Sequence, residues 1–135
     1  MKDIKLRFYG YTWEDYAFQI SSLRGVFVVY KGKLDYEGAV ALKDILYVGY
    51  HHGIYEMYNE GIMNQIKEFV DTSDRIFLSY AEVPNDVDGK KIEALLRKAI
   101  KPRLYVEELT NSSGTQIICD GACSLFPEEL LSKES

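Results

Sequence analysis

The sequence predicts a small α/β domain of the α+β type, in which helices flank a largely antiparallel, three-stranded sheet. Short runs rich in valine, isoleucine and aromatic residues indicate strands. Two longer segments, whose apolar residues recur every three to four positions, indicate amphipathic helices. The core order is strand, strand, helix, strand, helix. Since 135 residues leave room for one hydrophobic core of normal size, we expect a single domain over residues 1–135.

Three strands are predicted for the core of this domain, at residues 25–30, 45–50 and 75–83. Residues 31–44 separate the first two strands and contain two glycines, so we interpret them as a loop or an irregular excursion. The first two strands are then most simply antiparallel.

Two amphipathic helices follow the second and third strands. In the first, over residues 53–70, the apolar positions Ile54, Tyr58, Ile62 and Ile66 fall on one face. The second begins after cap candidates at 85–88 and runs to about residue 100, where Pro102 prevents its continuation.

Further elements are predicted on either side of the core. Alternation of apolar and charged residues over 4–9 indicates a half-buried strand. Residues 115–119 favour another strand, and residues 127–131 a helical turn. We assign these segments to additions outside a core of about residues 22–105.

The charge is unevenly distributed along the chain. The net charge of −5 argues against binding of nucleic acid over the whole surface. Residues 86–103 nevertheless carry six bases and three acids, a local net charge of +3. This basic helix is compatible with a small phosphate-contacting face, and equally with a well-solvated helix surface.

The N-terminus has charges where a signal peptide would have an apolar segment, and no apolar run approaches 18 residues. We therefore expect a cytoplasmic protein without a membrane partner.

The two cysteines, Cys119 and Cys123, lie four positions apart. This is not the spacing of a zinc knuckle or of a thioredoxin-like redox pair. A metal site shared with His51 and His52 is the weaker interpretation, because nothing in the sequence brings these residues together. Two buried free thiols are the preferred interpretation.

Two triplets and a helix motif carry a family resemblance. The triplets are Gly25-Val26-Phe27 and Tyr47-Val48-Gly49, and the motif is Glu93-Ala94-Leu95-Leu96 followed by Lys101-Pro102. In type and order these segments resemble the GIY-YIG nuclease domain. The resemblance covers residues 22–105 and implies a three-stranded antiparallel sheet flanked by helices.

The resemblance also implies a chemistry, namely metal-dependent hydrolysis of nucleic-acid phosphodiester bonds. Glu93 would hold a single divalent cation, Mg²⁺, and Tyr47 would act near the nucleophile and the phosphate. Gly49, which lacks a Cβ, would let a phosphate or another backbone approach. One of His51 and His52 would serve as a base.

The basic residues of the second helix would contact backbone phosphates without reading the base sequence. Those selected as substrate contacts are Lys90, Arg97 and Lys98.

Three positions depart from the family pattern. Phe27 stands where the first motif tyrosine would be, Met57 where an arginine is expected, and Tyr105 where an asparagine is expected. Tyr30 lies three residues beyond Phe27 and should face the opposite side of the strand. Asn111 would need a different chain path to reach the site.

Each candidate residue also has a purely structural interpretation. Tyr47 could be a core aromatic residue that shares a face with Ile45 and Gly49. Glu93 and Arg97 could form a surface ion pair, since they lie four positions apart with the glutamate first. The two histidines could be exposed loop residues.

Three functions therefore stay open, and with them the question of whether the protein is an enzyme. The first is a divergent metal-dependent endonuclease. The second is a catalytically degraded member of the same fold that binds nucleic acid or protein. The eleven tyrosines and Met57 favour this second function. The third is an unrelated α/β binding protein.

Overall fold

The computed structural model describes residues 2–12, 24–34, 37–53, 56, 61–84, 88–104 and 115–132. Its elements are β1 (Lys2–Thr12), β2 (Gly25–Leu34), β3 (Val40–His51), α1 (Ile62–Lys67), β4 (Arg75–Glu82), α2 (Gly89–Ile100), β5 (Thr115–Gly121) and a 3-10 turn (Glu128–Leu130). The predicted order of strand, strand, helix, strand, helix is present as β2, β3, α1, β4 and α2.

The sheet has five strands in the order β3-β2-β4-β1-β5, so the expectation of three strands was wrong. β2, β3 and β4 form the predicted antiparallel part. β1 extends it antiparallel to β4, with Tyr9 opposite Tyr80, and β5 pairs parallel to β1, with Ile4 opposite Ile117. Both added strands were predicted as separate segments, but local sequence pattern cannot identify a pairing partner as distant along the chain as Ile117 is from Ile4. The α+β class is retained.

Residues 31–34 and 40–44 extend the β2–β3 hairpin, and do not form the irregular excursion that we expected. Lys31 pairs with Asp44 and Lys33 with Ala41, and Gly38 has a φ of 85° in the turn region. This end of the hairpin is largely exposed. It therefore lacks the alternation of apolar residues by which strands are recognised.

A β-bulge at Leu46 changes which residues of β3 share a face. Val29 pairs with Tyr47, whereas the next residue, Tyr30, pairs with Ile45. The extra residue places Ile45 and Tyr47 on opposite faces of the sheet, so their predicted common face was wrong. Phe27 and Tyr30 do face opposite sides, as predicted.

The core consists of two apolar clusters, one on each face of the sheet. On the α2 face, Ile92 and Leu96 pack against strand residues that include Val28, Val48 and Tyr50. On the α1 face, the buried residues are Phe27, Val29, Leu46, Tyr47, Met63, Ile66, Leu78 and Tyr80. The two faces enclose residues 26–30 of β2 almost completely, since these residues are at most 2% exposed.

The first predicted helix is interrupted. Gly61 has a φ of 73° and α1 begins at Ile62, so a single helix over 53–70 was wrong. Ile54 and Tyr58 lie outside the described residues.

The second helix agrees with the prediction. Asp88 caps α2 by accepting from the backbone N–H groups of Lys90 and Lys91, and the helix ends before Pro102. Among the described helices, none is long and apolar enough to span a membrane.

Candidate functional site

The candidate site is built around the C-terminal half of β3. Beyond the bulge, every second residue of this strand lies on the α1 face, and these residues are Tyr47, Gly49 and His51. A Cβ at Gly49 would collide with the ring and hydroxyl of Tyr47, because that ring lies across the strand at Gly49. The missing side chain of Gly49 therefore makes room for the Tyr47 ring. From the sequence, we expected this space to admit a phosphate or another backbone.

Tyr47, His51 and Glu56 form a chain of hydrogen bonds. The Tyr47 hydroxyl lies 2.6 Å from His51 Nε2, and His51 Nδ1 lies 3.1 Å from Glu56 Oε1. An ionised carboxylate can only accept, so Nδ1 carries the proton and Nε2 of a neutral ring accepts from Tyr47. His51 is 2% exposed, which corrects its interpretation as an exposed loop histidine.

The contact with His51 changes the pKa of the Glu56 carboxyl. Partial burial raises its pKa, but the hydrogen bonds from His51 and from the backbone of His52 outweigh that effect, and the net pKa is lowered. Glu56 was not a candidate in the sequence. A glutamate five positions after a histidine at a strand end has no characteristic spacing that would reveal the pair.

Glu93 and Arg97 reach from α2 to the outer edge of β3. The backbone N–H of Tyr50 donates to Glu93 Oε2 at 2.6 Å, and Arg97 Nε donates to the Val48 carbonyl at 2.7 Å. Arg97 Nη1 also lies 3.3 Å from Glu93 Oε1. Glu93 is buried and Arg97 largely so, with side-chain exposures of 5% and 16%, which corrects their interpretation as a surface ion pair.

The same edge is covered further along by the chain that follows α2. The backbone N–H of Arg103 donates to the Ile45 carbonyl at 3.1 Å, and that of Leu104 to the Leu46 carbonyl at 2.9 Å. The outer edge of β3 is thus closed between residues 45 and 50 by two backbone donors and two side chains. An edge closed in this way cannot pair with a foreign strand.

Arg97 joins the two groups of residues. Its guanidinium carbon lies 5.5 Å from the centre of the Tyr47 ring, a cation–π arrangement. The structure therefore brings together Tyr47, His51, Glu93 and Arg97. His52 is not part of this cluster, since it is exposed and its ring packs edge-to-face with that of Tyr50, the two ring centres lying 5.4 Å apart.

Phe27 fills the position of the first motif tyrosine with apolar packing. It is fully buried, with its ring centre 5.1 Å from that of Tyr80 and 6.1 Å from that of His51. Tyr30 bonds instead to Ser79 on the α2 face, at 3.3 Å. Met57 and Tyr105, at the other two departures, lie outside the described residues, as does Asn111.

The predicted Mg²⁺ ligand does not fit a metal in this arrangement. Both oxygens of Glu93 already have partners, and a cation there would lie beside the positively charged Arg97. Within the described ranges, no three histidine, cysteine, aspartate or glutamate side chains are grouped to hold a metal ion. Mg²⁺ binding at Glu93 stays a prediction.

The exposed side of α2 is basic. Lys90, Lys91 and Lys98 lie within an arc of about 100° around the helix axis, and Lys101 follows at the C-terminal cap. The Lys90 side chain is 71% exposed, and Lys98 and Lys101 are also exposed. Glu93 is the one acid in residues 89–101, and it points to the edge of β3. We call these four lysines the basic face.

Compared with protein-family models, with curated proteins and with solved structures, the chain gives no significant match. The resemblance to the GIY-YIG nuclease domain therefore rests on the two triplets, the Glu93 motif and the order of the elements.

Proposed function

We propose that this chain is a GIY-YIG-like domain that binds the phosphate backbone of nucleic acid through the basic face of α2 and does not cleave it. The observation that carries this proposal is the engagement of Glu93 by Tyr50 and Arg97. The group that would hold a catalytic metal stabilises the edge of the sheet instead. The expected location is the cytoplasm.

The first step of the argument concerns catalysis. Hydrolysis of a phosphodiester needs an activated water and relief of charge on the phosphoryl oxygens. Glu93 and Arg97 neutralise each other within the domain, and Phe27 has no hydroxyl with which to transfer a proton. Catalytic residues act as a unit, so the loss of several members removes most of the rate.

The second step concerns binding. Cations in the first turn of a helix oppose the helix dipole, whereas cations in the last turn are favourable. Helix stability therefore explains Lys98, and the ion pair of Lys90 Nζ with Glu93 Oε1 at 3.8 Å accounts in part for Lys90, but neither explains Lys91 in the first turn of α2. Binding of an anionic partner accounts for all of these lysines together. The regularly spaced negative charges of a phosphate backbone match the positive charges on a row of flexible lysine side chains.

A metal-dependent endonuclease is the second candidate. The observation that favours it is the cluster of Tyr47, His51 and Arg97 beside Glu93, which is the juxtaposition that a nuclease requires. In this function, Tyr47 donates its proton to His51 and Arg97 takes the role of the missing arginine. Arg97 would first have to release Glu93 and the Val48 carbonyl.

The binding experiment measures fluorescence anisotropy of labelled duplex DNA and RNA at low salt. The variant Lys90→Glu/Lys98→Glu should weaken binding at least tenfold. The control Lys5→Glu/Lys67→Glu changes the net charge equally but lies on the opposite side of the sheet. Its affinity should stay near that of the wild type. Equal losses in both variants, or no binding by the wild type, would refute the nucleic-acid partner and favour a protein partner.

The cleavage experiment measures nicking of supercoiled plasmid with Mg²⁺ or Mn²⁺, using wild type and Glu93→Gln purified identically. We expect no nicking above background in either sample. Nicking by the wild type that disappears in a folded Glu93→Gln variant would establish the endonuclease and overturn the non-cleaving proposal.

A further inference from the structure

Cys119 and Cys123 are brought together by the turn that ends β5. Gly121 has a φ of 86°, and a Cβ at this position would collide with the carbonyl oxygen of Phe8. The backbone N–H of Ala122 donates to that carbonyl at 2.9 Å, and the N–H of Cys123 donates to the Gly121 carbonyl at 2.9 Å. The chain reverses over the strand end, so the two cysteines become neighbours in the same apolar cluster.

The two thiols are not equivalent. The Cys123 thiol donates to the Asp120 carbonyl at 3.1 Å, so its sulfur can accept the hydrogen bond that joins it to Cys119. This hydrogen bond lowers the pKa of Cys123, and together with burial it raises the pKa of Cys119. Cys119 is 0% exposed and Cys123 is 9% exposed. The sulfur with more thiolate character is therefore also the one nearer to solvent.

We propose that Cys119 and Cys123 form a site of reversible oxidation, in which a hydroperoxide oxidises Cys123 and Cys119 then closes an intramolecular disulfide. The oxidant class follows from access. A molecule as small as hydrogen peroxide can reach a sulfur at the rim of the core, whereas a protein oxidant cannot. This site goes beyond the binding function proposed above and does not depend on it.

The chemistry balances in two steps. The Cys123 thiolate attacks one peroxide oxygen, the O–O bond breaks, and a sulfenic acid forms while the other oxygen leaves as water after taking a proton. The Cys119 sulfur then attacks the Cys123 sulfur, the S–O bond breaks, and hydroxide leaves as water with the Cys119 proton. Two thiols lose two electrons, and one hydrogen peroxide is reduced to two waters.

The spacing alone argues against such a site, because it is not the two-residue separation of a redox motif. The Gly121 turn removes that objection by reversing the chain between the two cysteines. Both sulfurs are free in the described structure. The apolar surroundings slow exchange with foreign thiols, so the bond should form within one chain.

The test treats the folded wild-type protein with a small excess of hydrogen peroxide and follows it by intact mass and peptide mapping. The expected product has lost two hydrogen atoms, contains a Cys119–Cys123 cross-link, has no alkylatable thiol, and is restored by dithiothreitol. An unchanged mass, disulfide-linked dimers, or addition of oxygen atoms without a cross-link would each overturn the proposal.

Single variants test the assignment of the two roles. In Cys119→Ser, the sulfenic acid of Cys123 has no partner and should be trapped by dimedone. In Cys123→Ser, the remaining thiol should give at least tenfold less dimedone adduct under the same conditions. Equal labelling of the two variants would refute the division of roles. If either variant fails to fold, the pH dependence of the cross-linking rate in the wild type provides the test. A rate that does not rise with pH is independent of thiolate formation and contradicts attack by Cys123.

Discussion

Glu93 on α2 accepts the backbone N–H of Tyr50 on β3 at 2.6 Å, so a helix side chain occupies the hydrogen-bonding position of a missing neighbouring strand. Arg97, one turn later, does the same for the Val48 carbonyl. An ion pair at this spacing ordinarily contributes only a few tenths of a kcal/mol on a helix surface. Here it satisfies a donor and an acceptor of the sheet and thereby fixes α2 against it.

This arrangement predicts a large effect of removing the carboxylate. Glu93→Ala leaves the Tyr50 N–H without its acceptor and Arg97 without its counter-charge, and should reduce the free energy of unfolding by about 3 kcal/mol. Glu93→Gln keeps an acceptor and should lose less. Urea denaturation measures both variants. If the alanine variant unfolds at the wild-type midpoint, the edge contact has no energetic importance.

Gly49 and Tyr47 should show strong energetic coupling. Gly49→Ala forces the Tyr47 ring off the strand, which should cost about 2 kcal/mol. In a Tyr47→Leu background, the same substitution meets a shorter side chain and should cost at least about 1 kcal/mol less. A double-mutant cycle by chemical denaturation measures this coupling. Additive effects would show that the ring does not occupy the space above Gly49.

The Glu56–His51 contact predicts a dependence of stability on acid. Because the folded pKa of Glu56 lies below its ordinary value of 4.5, the ionised form stabilises the fold. That contribution is complete above the unfolded pKa and is lost as the pH falls through the folded pKa. Wild type should therefore exceed Glu56→Gln in stability near neutrality, and the difference should shrink below pH 4.5. Thermal unfolding of both proteins across this window gives the difference, and a constant difference would contradict the contact.

The basic face predicts a specific salt dependence. Each phosphate contact releases counterions and contributes about 0.9 to the slope of log affinity against log salt on duplex DNA. Lys90→Glu/Lys98→Glu should therefore reduce the slope by about 2. The control Lys5→Glu/Lys67→Glu should keep the wild-type slope. Binding that shows no salt dependence in the wild type would exclude phosphate contacts.

The positions of the strands could be predicted from the sequence more reliably than the way in which the strands pair. Buried strands such as β2 have continuous apolar character and were placed correctly, whereas the exposed end of the hairpin was not recognised. The bulge at Leu46 could not be predicted, because it depends on how two strands pair and leaves no mark on either alone. A one-residue error of this kind moved Ile45 to the wrong face.

The prediction of the candidate site was incomplete for a similar reason. Spacing placed Glu93 and Arg97 on one side of a helix, but it could not show that the backbone of β3 would be their partner. Tyr47 belongs to the second triplet and His51 lies two residues beyond it, so both were identified as candidates, whereas Glu56 was missed. Contacts within one element follow from periodicity, while contacts between elements depend on packing that periodicity does not describe.

The pairing of β1 with β5 has a consequence for the order in which the domain is assembled. Ile4 and Ile117 are neighbours in the finished sheet although 113 positions separate them. During synthesis, the β2–β3 hairpin can form from adjacent segments, while β1 must wait for β4 on one side and for β5 on the other. Since distant contacts require closure of long loops, these two pairings should form late and limit the folding rate. Until β5 emerges, β1 has one open edge, and this edge is where a nascent chain is most exposed to wrong pairing.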